Sequence, residues 1–315
     1  MVGERTEDGF PALTLESAAA GGIVAIFVPE AGMVCCSLRH RGEELLGQRG
    51  GLTRYVEAGS TMGVPFLHPW ANRLGESRFE LAGREVDLGL DGLHVKRDAG
   101  GLPMHGLLTA ARGWRVERHL EIEDGGALAA SFDFAAYPRL LEAFPFPHRV
   151  EIEATLAGAE LRIATTLRAG EEGEVPIAFG FHPYLRLPGV ERVEWEMTAP
   201  VRERLALDER MLPTGGREAA EVESGPLGSR TFDDAYLAPA GGEPFVLGGG
   251  GRRLELRIGE GYPWAQVYAP EDLDAVAFEP MTAPTNALVS GEGLRMLPAG
   301  ESFTATFSIA IEEAA

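Results

Sequence analysis

Apolar and polar residues alternate over much of the chain, and this period of two constrains the fold more than any other feature of the sequence. In the C-terminal stretch 302–313 the alternation is unbroken. A strand points successive side chains to opposite faces, whereas a helix brings together residues three and four apart. The stretch is therefore predicted to be a half-buried β-strand. Further alternating stretches lie at 120–122, 128–134, 150–156, 161–167 and 254–258.

Glycine supplies the turns between these stretches. The chain has 41 glycines in 315 residues, about twice the usual share of roughly 7%. The turn residues 124–126 and Gly158 each separate two alternating stretches, which predicts β-hairpins. The Gly-rich run 248–251 is predicted to be a hairpin loop, because alternation resumes at Leu254. The best helical pattern, around 52–58, is short.

Nothing in the sequence divides the chain into parts. It contains no repeat of fixed period and no low-complexity linker. All-β chains of this length commonly form one domain. The sequence therefore predicts an all-β protein, a large antiparallel β-sandwich, with a single domain over residues 1–315.

The charge balance and the apolar content exclude several classes of partner. The 28 Lys and Arg against 48 Asp and Glu give a net charge of −20 at pH 7, which would repel a nucleic acid. The sequence has no apolar run of transmembrane length, and charges lie where a signal peptide would be apolar. The two cysteines, Cys35 and Cys36, are adjacent and would point to opposite faces of a strand, so no disulfide framework is expected. We expect a cytoplasmic protein with no membrane or nucleic-acid partner.

Two residues combine a titratable side chain with rigid apolar surroundings. His182 lies between Phe181 and Pro183, which would orient the imidazole and partly desolvate it for acid–base chemistry. Glu279 follows the apolar stretch 275–278, where a carboxylate must be paired, protonated or functional. A core histidine bonded to the backbone and a structural salt bridge to an arginine are the alternatives for these two positions.

Other polar residues lie in segments that Pro, Gly or aromatic residues make rigid. The Arg73 guanidinium suits vicinal hydroxyls or a carboxylate, and His105 is a candidate hydrogen-bond donor in a turn. Only one of the adjacent residues Asp233 and Asp234 can face a site if they lie in a strand. Gln266 alternates with aromatic residues, so its amide could bind a hydroxyl group. Each of these residues, taken alone, is equally consistent with a surface or turn position.

Four segments together resemble, in order and context, the motifs of the aldose 1-epimerase (galactose mutarotase-like) family. PWANRLGESRFELAG at 69–83 is similar to the family's Asn-Arg turn that leads into a strand, and MHG at 104–106 resembles its His-Gly motif. GFHPY at 180–184 is similar to its Gly-x-His-Pro-Tyr signature, and FEPMT at 278–282 to its glutamate-proline signature. Four such segments in the right order, over most of the chain, make the resemblance specific.

The resemblance implies a fold and an activity. The fold is the galactose mutarotase-like supersandwich, in agreement with the periodicity, and the activity is interconversion of the α and β anomers of a free aldohexose, with no metal and no cofactor. The family's Asp, followed three residues later by an aromatic residue, lines up with Asp233 rather than Asp234. The site residues implied are Glu279 as catalytic base and His182 as catalytic acid, with Asn72, Arg73, His105, Asp233 and Gln266 contacting sugar hydroxyls.

Three rival interpretations remain at this stage. A hexose 6-phosphate 1-epimerase would need a further Lys or Arg beside the site, and Arg186 is the only other candidate near the His182 motif in the sequence. A non-catalytic carbohydrate-binding β-sandwich would need stacking aromatics but no acid–base pair. A zinc site of His105, His182 and Glu279 would lack the usual short ligand spacing. The sequence leaves open which sugar is the substrate and what the oligomeric state is.

Overall fold

A computed structural model describes residues 1–313 of the chain, and strands dominate it. The strands of the first half are β1 (Val2–Glu7), β2 (Phe10–Ser17), β3 (Ile23–Val28), β4 (Val34–His40), β5 (Glu43–Glu44), β6 (Phe66–Leu67), β7 (Arg78–Leu81), β8 (Arg84–Asp87), β9 (Arg115–Ile122), β10 (Gly125–Asp133), β11 (His148–Ala157) and β12 (Glu160–Ala169). Those of the second half are β13 (Val175–Ile177), β14 (Gly180–Phe181), β15 (Tyr184–Leu185), β16 (Glu196–Thr198), β17 (Glu203–Leu207), β18 (Pro213–Ala219), β19 (Gly225–Pro226), β20 (Phe232–Leu237), β21 (Phe245–Gly249), β22 (Arg252–Ile258), β23 (Trp264–Ala269), β24 (Val276–Met281), β25 (Arg295–Leu297) and β26 (Ser302–Glu313).

Helices are few and short. The α-helices are α1 (Gly51–Ala58), α2 (Pro138–Ala143) and α3 (Ala287–Ser290). Single 3₁₀ turns occupy Ala19–Gly21, Pro29–Ala31, Phe134–Ala136, Arg192–Glu194 and Ala240–Gly242. The predicted helix around 52–58 is confirmed as α1, which Gly59 ends in the left-handed conformation while its N–H donates to the Tyr55 carbonyl. Within residues 1–313, every helix is too short or too polar to cross a membrane.

Two large sheets of antiparallel strands form the body of the fold. One has nine strands in the order β19–β16–β21–β22–β26–β12–β11–β10–β9. The other has eight, in the order β18–β17–β20–β23–β24–β14–β6, with β15 also paired to β24. A five-stranded sheet, β1 to β5, and the two-stranded ribbons β7–β8 and β13–β25 complete the strand pairing. The predicted antiparallel β-sandwich is confirmed.

The alternating sequence pattern explains why the nine-stranded sheet forms. β26 pairs with β12 on one side and β22 on the other, so that Phe307 lies opposite Ile163 and Ile258. All three side chains are nearly inaccessible to solvent, and burying a side chain of this size contributes about 1.5–3 kcal/mol. The predicted hairpins are present as β9–β10, β11–β12 and β21–β22.

Aromatic residues join the two large sheets across the core. Phe307 of β26 packs 5.0 Å from Phe181 of β14, and Phe245 of β21 packs 5.0 Å from Phe278 of β24, measured between ring centroids. Because side chains alternate along a strand, the residue after Phe278 points to the opposite face of the eight-stranded sheet. That residue is Glu279, and the candidate site lies on this opposite face.

Two details differ from the sequence prediction. Phe134, expected at the end of a strand, lies in a 3₁₀ turn in which the Ala135 N–H donates to the Asp133 carboxylate. Leu120, expected to be half-buried, is 40% exposed because β9 is the outermost strand of its sheet. An edge strand has a neighbour on one side only, so its apolar residues gain less cover.

Candidate active site

A pocket of about 180 Å³ lies on the face of the eight-stranded sheet that points away from the nine-stranded sheet. Its lining residues are Arg49, Thr61, Asn72, Arg73, Lys96, Met104, His105, His182, Tyr184, Asp233, Tyr268 and Glu279. We use the name strand wall for the residues on strands of this sheet, Tyr184, Asp233, Tyr268 and Glu279. We use the name loop wall for the lining residues of the two facing loops, Asn72, Arg73, Lys96, Met104 and His105.

Strand register brings the strand wall together. Asp233 of β20 lies directly opposite Tyr268 of β23, and Tyr184 of β15 lies opposite residue 277 of β24. Residue 277 and Glu279 are two apart and therefore share a face of β24. Tyr184, which lies opposite residue 277, is on the same side as Glu279. Tyr268 reaches that side as well, because Gln266, two residues before it, lies opposite Glu279. Four residues distant in the sequence are thereby fixed on one surface.

The two candidate acid–base residues are in direct contact. His182 Nε2 lies 3.2 Å from Glu279 Oε1, and the residues are 4% and 2% exposed. Burial lowers the pKa of His182 well below 6.5, and the nearby charge of Lys96 lowers it further. Burial raises the pKa of Glu279 well above 4.5, and the carboxylate of Asp233 raises it further. Burial therefore disfavours the charged form of both groups, which lie close enough to exchange a proton.

Aromatic rings hold the imidazole of His182 in place, as its sequence context predicts. Tyr184 stacks on it with ring centroids 4.1 Å apart and an angle of 19° between the planes. Tyr268 and His105 each meet it edge-on at 5.6 Å. Among residues 1–313, His182 Nδ1 and Glu279 Oε2 are buried without a hydrogen-bond partner. Unpaired buried polar atoms are uncommon, and these two belong to the pair in the pocket wall.

Hydrogen bonds between two irregular segments form the loop wall. The His105 N–H donates to the Asn72 carbonyl over 2.9 Å, and Arg73 forms an isolated β-bridge with Met104. Asn72 and His105 both have positive φ, 56° and 64°. Such a conformation is uncommon for residues other than glycine and is often concentrated at functional sites. The backbone here is fixed by contacts between the loops.

Arg73 connects the loop wall to the strand wall. Its Nε donates to Asp98 Oδ2 at 3.0 Å, one Nη donates to Asn72 Oδ1 at 3.1 Å, and the other approaches Asp233 Oδ2 at 3.5 Å. Asp98 also accepts the N–H of Leu102, so it fixes both the guanidinium and the loop. The guanidinium is thereby held against the pocket in one orientation.

The structure distinguishes the two adjacent aspartates. Asp233 lines the pocket, whereas the Asp234 carboxylate is 3.3 Å from Arg204 on the other side of β20. Gln266 lies on the same face of the sheet as Glu279, where it is buried beside Asp233. Its Nε2 donates to Asp233 Oδ1 at 2.6 Å, and Gln266 is not part of the pocket lining. The other predicted residues, Asn72, Arg73, His105, His182, Asp233 and Glu279, all line the pocket.

The sequence did not indicate two of the cationic residues that line the pocket, and its candidate for a further cation, Arg186, was wrong. Arg186 does not line the pocket, because it follows β15 to the outer edge and pairs with Asp274 at 2.8 Å. Arg49 and Lys96 line it instead. One signal was present for Lys96, which is the only lysine among the 28 Lys and Arg residues. No local motif marks Arg49.

Comparisons with known proteins agree with this fold and these motifs. The family model for aldose 1-epimerase matches residues 20–310. The Escherichia coli K12 protein named uncharacterized protein YihR is 25% identical over 252 residues, 77% of each chain. A galactose mutarotase-like protein from Clostridium acetobutylicum has a TM-score of 0.85 at 16% identity, over 99% of this chain and 98% of that one.

A second solved structure gives the same result. Galactose 1-epimerase from Lactobacillus acidophilus NCFM has a TM-score of 0.78 at 14% identity, over 100% of this chain and 99% of that one. At these low identities the TM-scores establish the fold. The family model for aldose 1-epimerase covers nearly the whole chain. The chain belongs to the aldose 1-epimerase family. It is therefore a member of a family of isomerases that act as epimerases.

Proposed function

We propose that the protein is an aldose 1-epimerase that interconverts the α and β anomers of an aldohexose in this pocket. The observation that carries the proposal is the contact between His182 and Glu279, which places two buried titratable groups side by side at the pocket wall. Interconversion of anomers needs one group that removes a proton and another that supplies one. A pocket of about 180 Å³ is small enough to confine a single sugar ring to these two groups.

The reaction requires no net change in the protons held by the enzyme. Glu279 accepts the proton of the C1 hydroxyl while His182 donates a proton to the ring oxygen, so the bond between C1 and the ring oxygen breaks and C1 becomes a carbonyl carbon. Rotation about C1–C2 exposes the other face of the aldehyde. On reclosure Glu279 gives its proton to the carbonyl oxygen, the hydroxyl that becomes the ring oxygen returns its proton to His182, and the other anomer forms.

Burial of the pair favours the open-chain stage of this reaction. When the ring is open, Glu279 is a neutral acid and His182 a neutral imidazole. These are the states that burial favours, since it raises the pKa of Glu279 and lowers the pKa of His182. Burial therefore favours the neutral pair of the ring-opened complex over the ion pair.

The remaining lining residues supply hydrogen bonds to hydroxyl groups. Asn72, Arg73 and His105 act from the loop wall, and Asp233 acts from the strand wall. Gln266 holds Asp233 in position through the hydrogen bond from its Nε2. Asn72, Arg73, His105 and Asp233 have binding roles, since none of these four groups is hydrogen-bonded to His182 or Glu279 within residues 1–313.

Polarimetry of a freshly dissolved pure anomer tests the proposal. The rate of approach to anomeric equilibrium should rise in proportion to protein concentration, and Asp234→Asn should retain this rate because Asp234 lies outside the pocket. Glucose, galactose and their charged derivatives should each be tried. A rate equal to the uncatalysed one for every aldohexose, together with measurable sugar binding, would favour a carbohydrate-binding protein instead.

A further inference from the structure

The charge of the pocket differs from that of the chain as a whole. The chain carries a net charge of −20, yet three cationic side chains and two carboxylates line the pocket. Arg73 is matched by Asp98 and Asp233. Among residues 1–313, neither Arg49 nor Lys96 has a carboxylate within 4.0 Å, although 48 acidic residues are available in the chain. Two cations are thus left without an anionic partner.

Lys96 is held in the pocket by neutral groups. Its Nζ donates to Thr61 Oγ1 at 3.4 Å, and Thr61 in turn shares a 2.7 Å hydrogen bond with the Tyr184 hydroxyl. Burial lowers the pKa of Lys96 to about 8, and the charge of Arg49 acts in the same direction. A lysine in such surroundings gains from an added anion, which would raise its pKa towards the ordinary value.

Arg49 lies at the pocket mouth with most of its donors free. It is exposed, and one Nη donates to the Tyr184 hydroxyl at 3.1 Å, the one hydrogen bond of its guanidinium within residues 1–313. Its backbone has a positive φ of 47°, which is uncommon for arginine. The Tyr184 hydroxyl thus lies between the two cations, bonded directly to Arg49 and through Thr61 to Lys96.

We propose that Lys96 and Arg49 form a subsite for an anionic substituent of the sugar, a phosphate or a carboxylate group. Arginine matches the oxygens of such groups with parallel N–H donors, and lysine adds a point charge. The inference rests on the proposed function, and it replaces the uncharged aldohexose of the sequence prediction by one that carries an anion. The cation beside the site that a sugar phosphate requires is supplied by Lys96 and Arg49, not by Arg186.

A different role for Lys96 makes a different prediction. Its charge lowers the pKa of Glu279, so it could act only by adjusting the acid–base pair. In that case its loss would change kcat by the same factor for charged and uncharged sugars. An anion subsite instead changes the ratio between them, and it changes binding even where no reaction is measured.

Calorimetric titration with D-glucose, D-glucose 6-phosphate and D-glucuronate tests the subsite directly. In the unchanged protein at least one of the two anionic sugars should bind about 10-fold or more tightly than glucose, as charge-assisted hydrogen bonds allow. Arg49→Gln and Lys96→Met should each reduce that preference by roughly 10-fold. Arg186→Gln is the matched control, because Arg186 lies outside the pocket, and it should keep the full preference.

The single lysine permits a second readout that does not depend on activity. Reductive methylation with ¹³C-formaldehyde labels Lys96 and the N-terminus, so the NMR spectrum holds one lysine signal. Its titration should give a pKa near 8 in the free protein, and saturation with the anionic sugar should raise that pKa. Glucose at saturation should leave it nearly unchanged.

The outcomes separate the two proposals. A preference for the phosphate alone assigns the subsite to a sugar phosphate, and a preference for the carboxylate alone assigns it to a uronic acid. Equal affinity for all three sugars, with no shift of the Lys96 signal, overturns the subsite even if the protein accelerates mutarotation. Tight anion-dependent binding with no acceleration for any sugar keeps the subsite and overturns the proposed function.

Discussion

The strand wall and the loop wall of the pocket meet at one ligand-sized space but are specified in different ways. On the strand wall, Asp233, Tyr268 and Glu279 face the same side because the ladders of β20, β23 and β24 are in register. On the loop wall, Asn72 and His105 depend on a hydrogen bond between segments about 30 residues apart and on positive φ angles. One wall follows from a repeating pattern, and the other from individual contacts.

The two walls therefore have different proposed roles, the strand wall mainly in the reaction and the loop wall mainly in binding the sugar. The proposed proton transfer depends on Glu279, which sheet geometry fixes with neighbours on both sides of β24 in the eight-stranded sheet. The proposed recognition of hydroxyls and of an anion depends largely on the loop wall and on Arg49, where the sequence can change without disturbing a ladder. We therefore expect changes on the strand wall to alter rate, and changes on the loop wall to alter affinity or local stability.

The largest effect is expected from the acid–base pair. Glu279→Gln keeps the shape of the side chain but cannot accept the proton, and His182→Asn cannot donate one at neutral pH. Each should lower kcat by on the order of 10²–10⁴-fold, while calorimetry should still detect sugar binding. Steady-state polarimetry on both variants checks this expectation.

The double variant sharpens the same test. If Glu279 and His182 act on one proton exchange, the combined loss in kcat should be smaller than the product of the two single losses. Retention of more than about a tenth of kcat by Glu279→Gln would remove Glu279 from the role of base, because positioned general-base catalysis contributes at least roughly 10²-fold.

Gly106 provides a test of the loop wall. It follows His105 with a φ of +75°, and a Cβ at this position would collide with the backbone of His68. Gly106→Ala should lower the free energy of unfolding by on the order of 3 kcal/mol, from the strained conformation and the collision together. Gly158→Ala is the matched control, since its φ is +57° and a Cβ there meets no atom within 4 Å.

Urea unfolding of the two variants isolates the contribution of the close approach. Gly158→Ala should cost only about 1–2 kcal/mol, from its φ angle alone. Equal losses in the two variants would mean that the His68 backbone can move away, and that contact between the loops does not fix His105.

The sequence predicted the two walls to different extents, for the same physical reason. Alternation around Gln266 predicted β23, and the apolar run 275–278 predicted β24, although β24 continues to Met281 and Glu279 lies inside it and not at its end. Alternation could not predict that Gln266 donates to Asp233, because only the pairing of β20 with β23 brings these two side chains together. Alternation says which face a residue takes, and it says nothing about which strands are neighbours.

On the loop wall and at the pocket mouth the prediction relied on family motifs. These motifs identified Asn72, Arg73 and His105. They did not identify Arg49 or Lys96, whose segments join the pocket through contacts with Thr61 and Tyr184. Distance in sequence is a poor guide in such regions, which is why Arg186, near His182 in the chain, was wrong as the extra cation.

Arg73→Ala should act mainly on affinity. The guanidinium is proposed to hold hydroxyls that are present in both the ground state and the transition state, so KM should rise by about 10- to 100-fold while kcat falls much less. Asp98→Asn, which leaves the guanidinium in place but weakens its anchor at 3.0 Å, should give a smaller rise in KM. A collapse of kcat with unchanged KM in Arg73→Ala would instead place Arg73 in the transition state.

Glu279 should also change how the free energy of unfolding depends on pH. A carboxyl group whose pKa is raised by folding stabilises the fold fully below its unfolded value, and that contribution is lost as pH rises through the folded pKa. For Glu279 the loss begins near pH 4.5. Glu279→Gln removes it, so its free energy of unfolding relative to the unchanged protein should increase with pH, by up to about 1.4 kcal/mol per pH unit.

Urea titrations at a series of pH values between 4 and 9 measure this difference. A relative stability that is flat or falls with pH would show that folding does not raise the pKa of Glu279. The strand wall would then be an ordinary charged surface.

The smallest effect is expected one residue away from the pocket. Asp234 lies on the opposite face of β20 from Asp233, and its partner is Arg204, whose side chain is 44% exposed. Exposed salt bridges contribute about 0–1 kcal/mol, so Asp234→Asn should change kcat/KM by less than about 2-fold and stability by under about 1 kcal/mol. Asp233→Asn removes a charge that faces the sugar, Arg73 and Gln266 together, and it should lower kcat/KM by about 10-fold or more. Comparing the two variants in the same polarimetric assay therefore measures what strand register alone contributes, and equal losses would mean that β20 does not present Asp233 to the sugar.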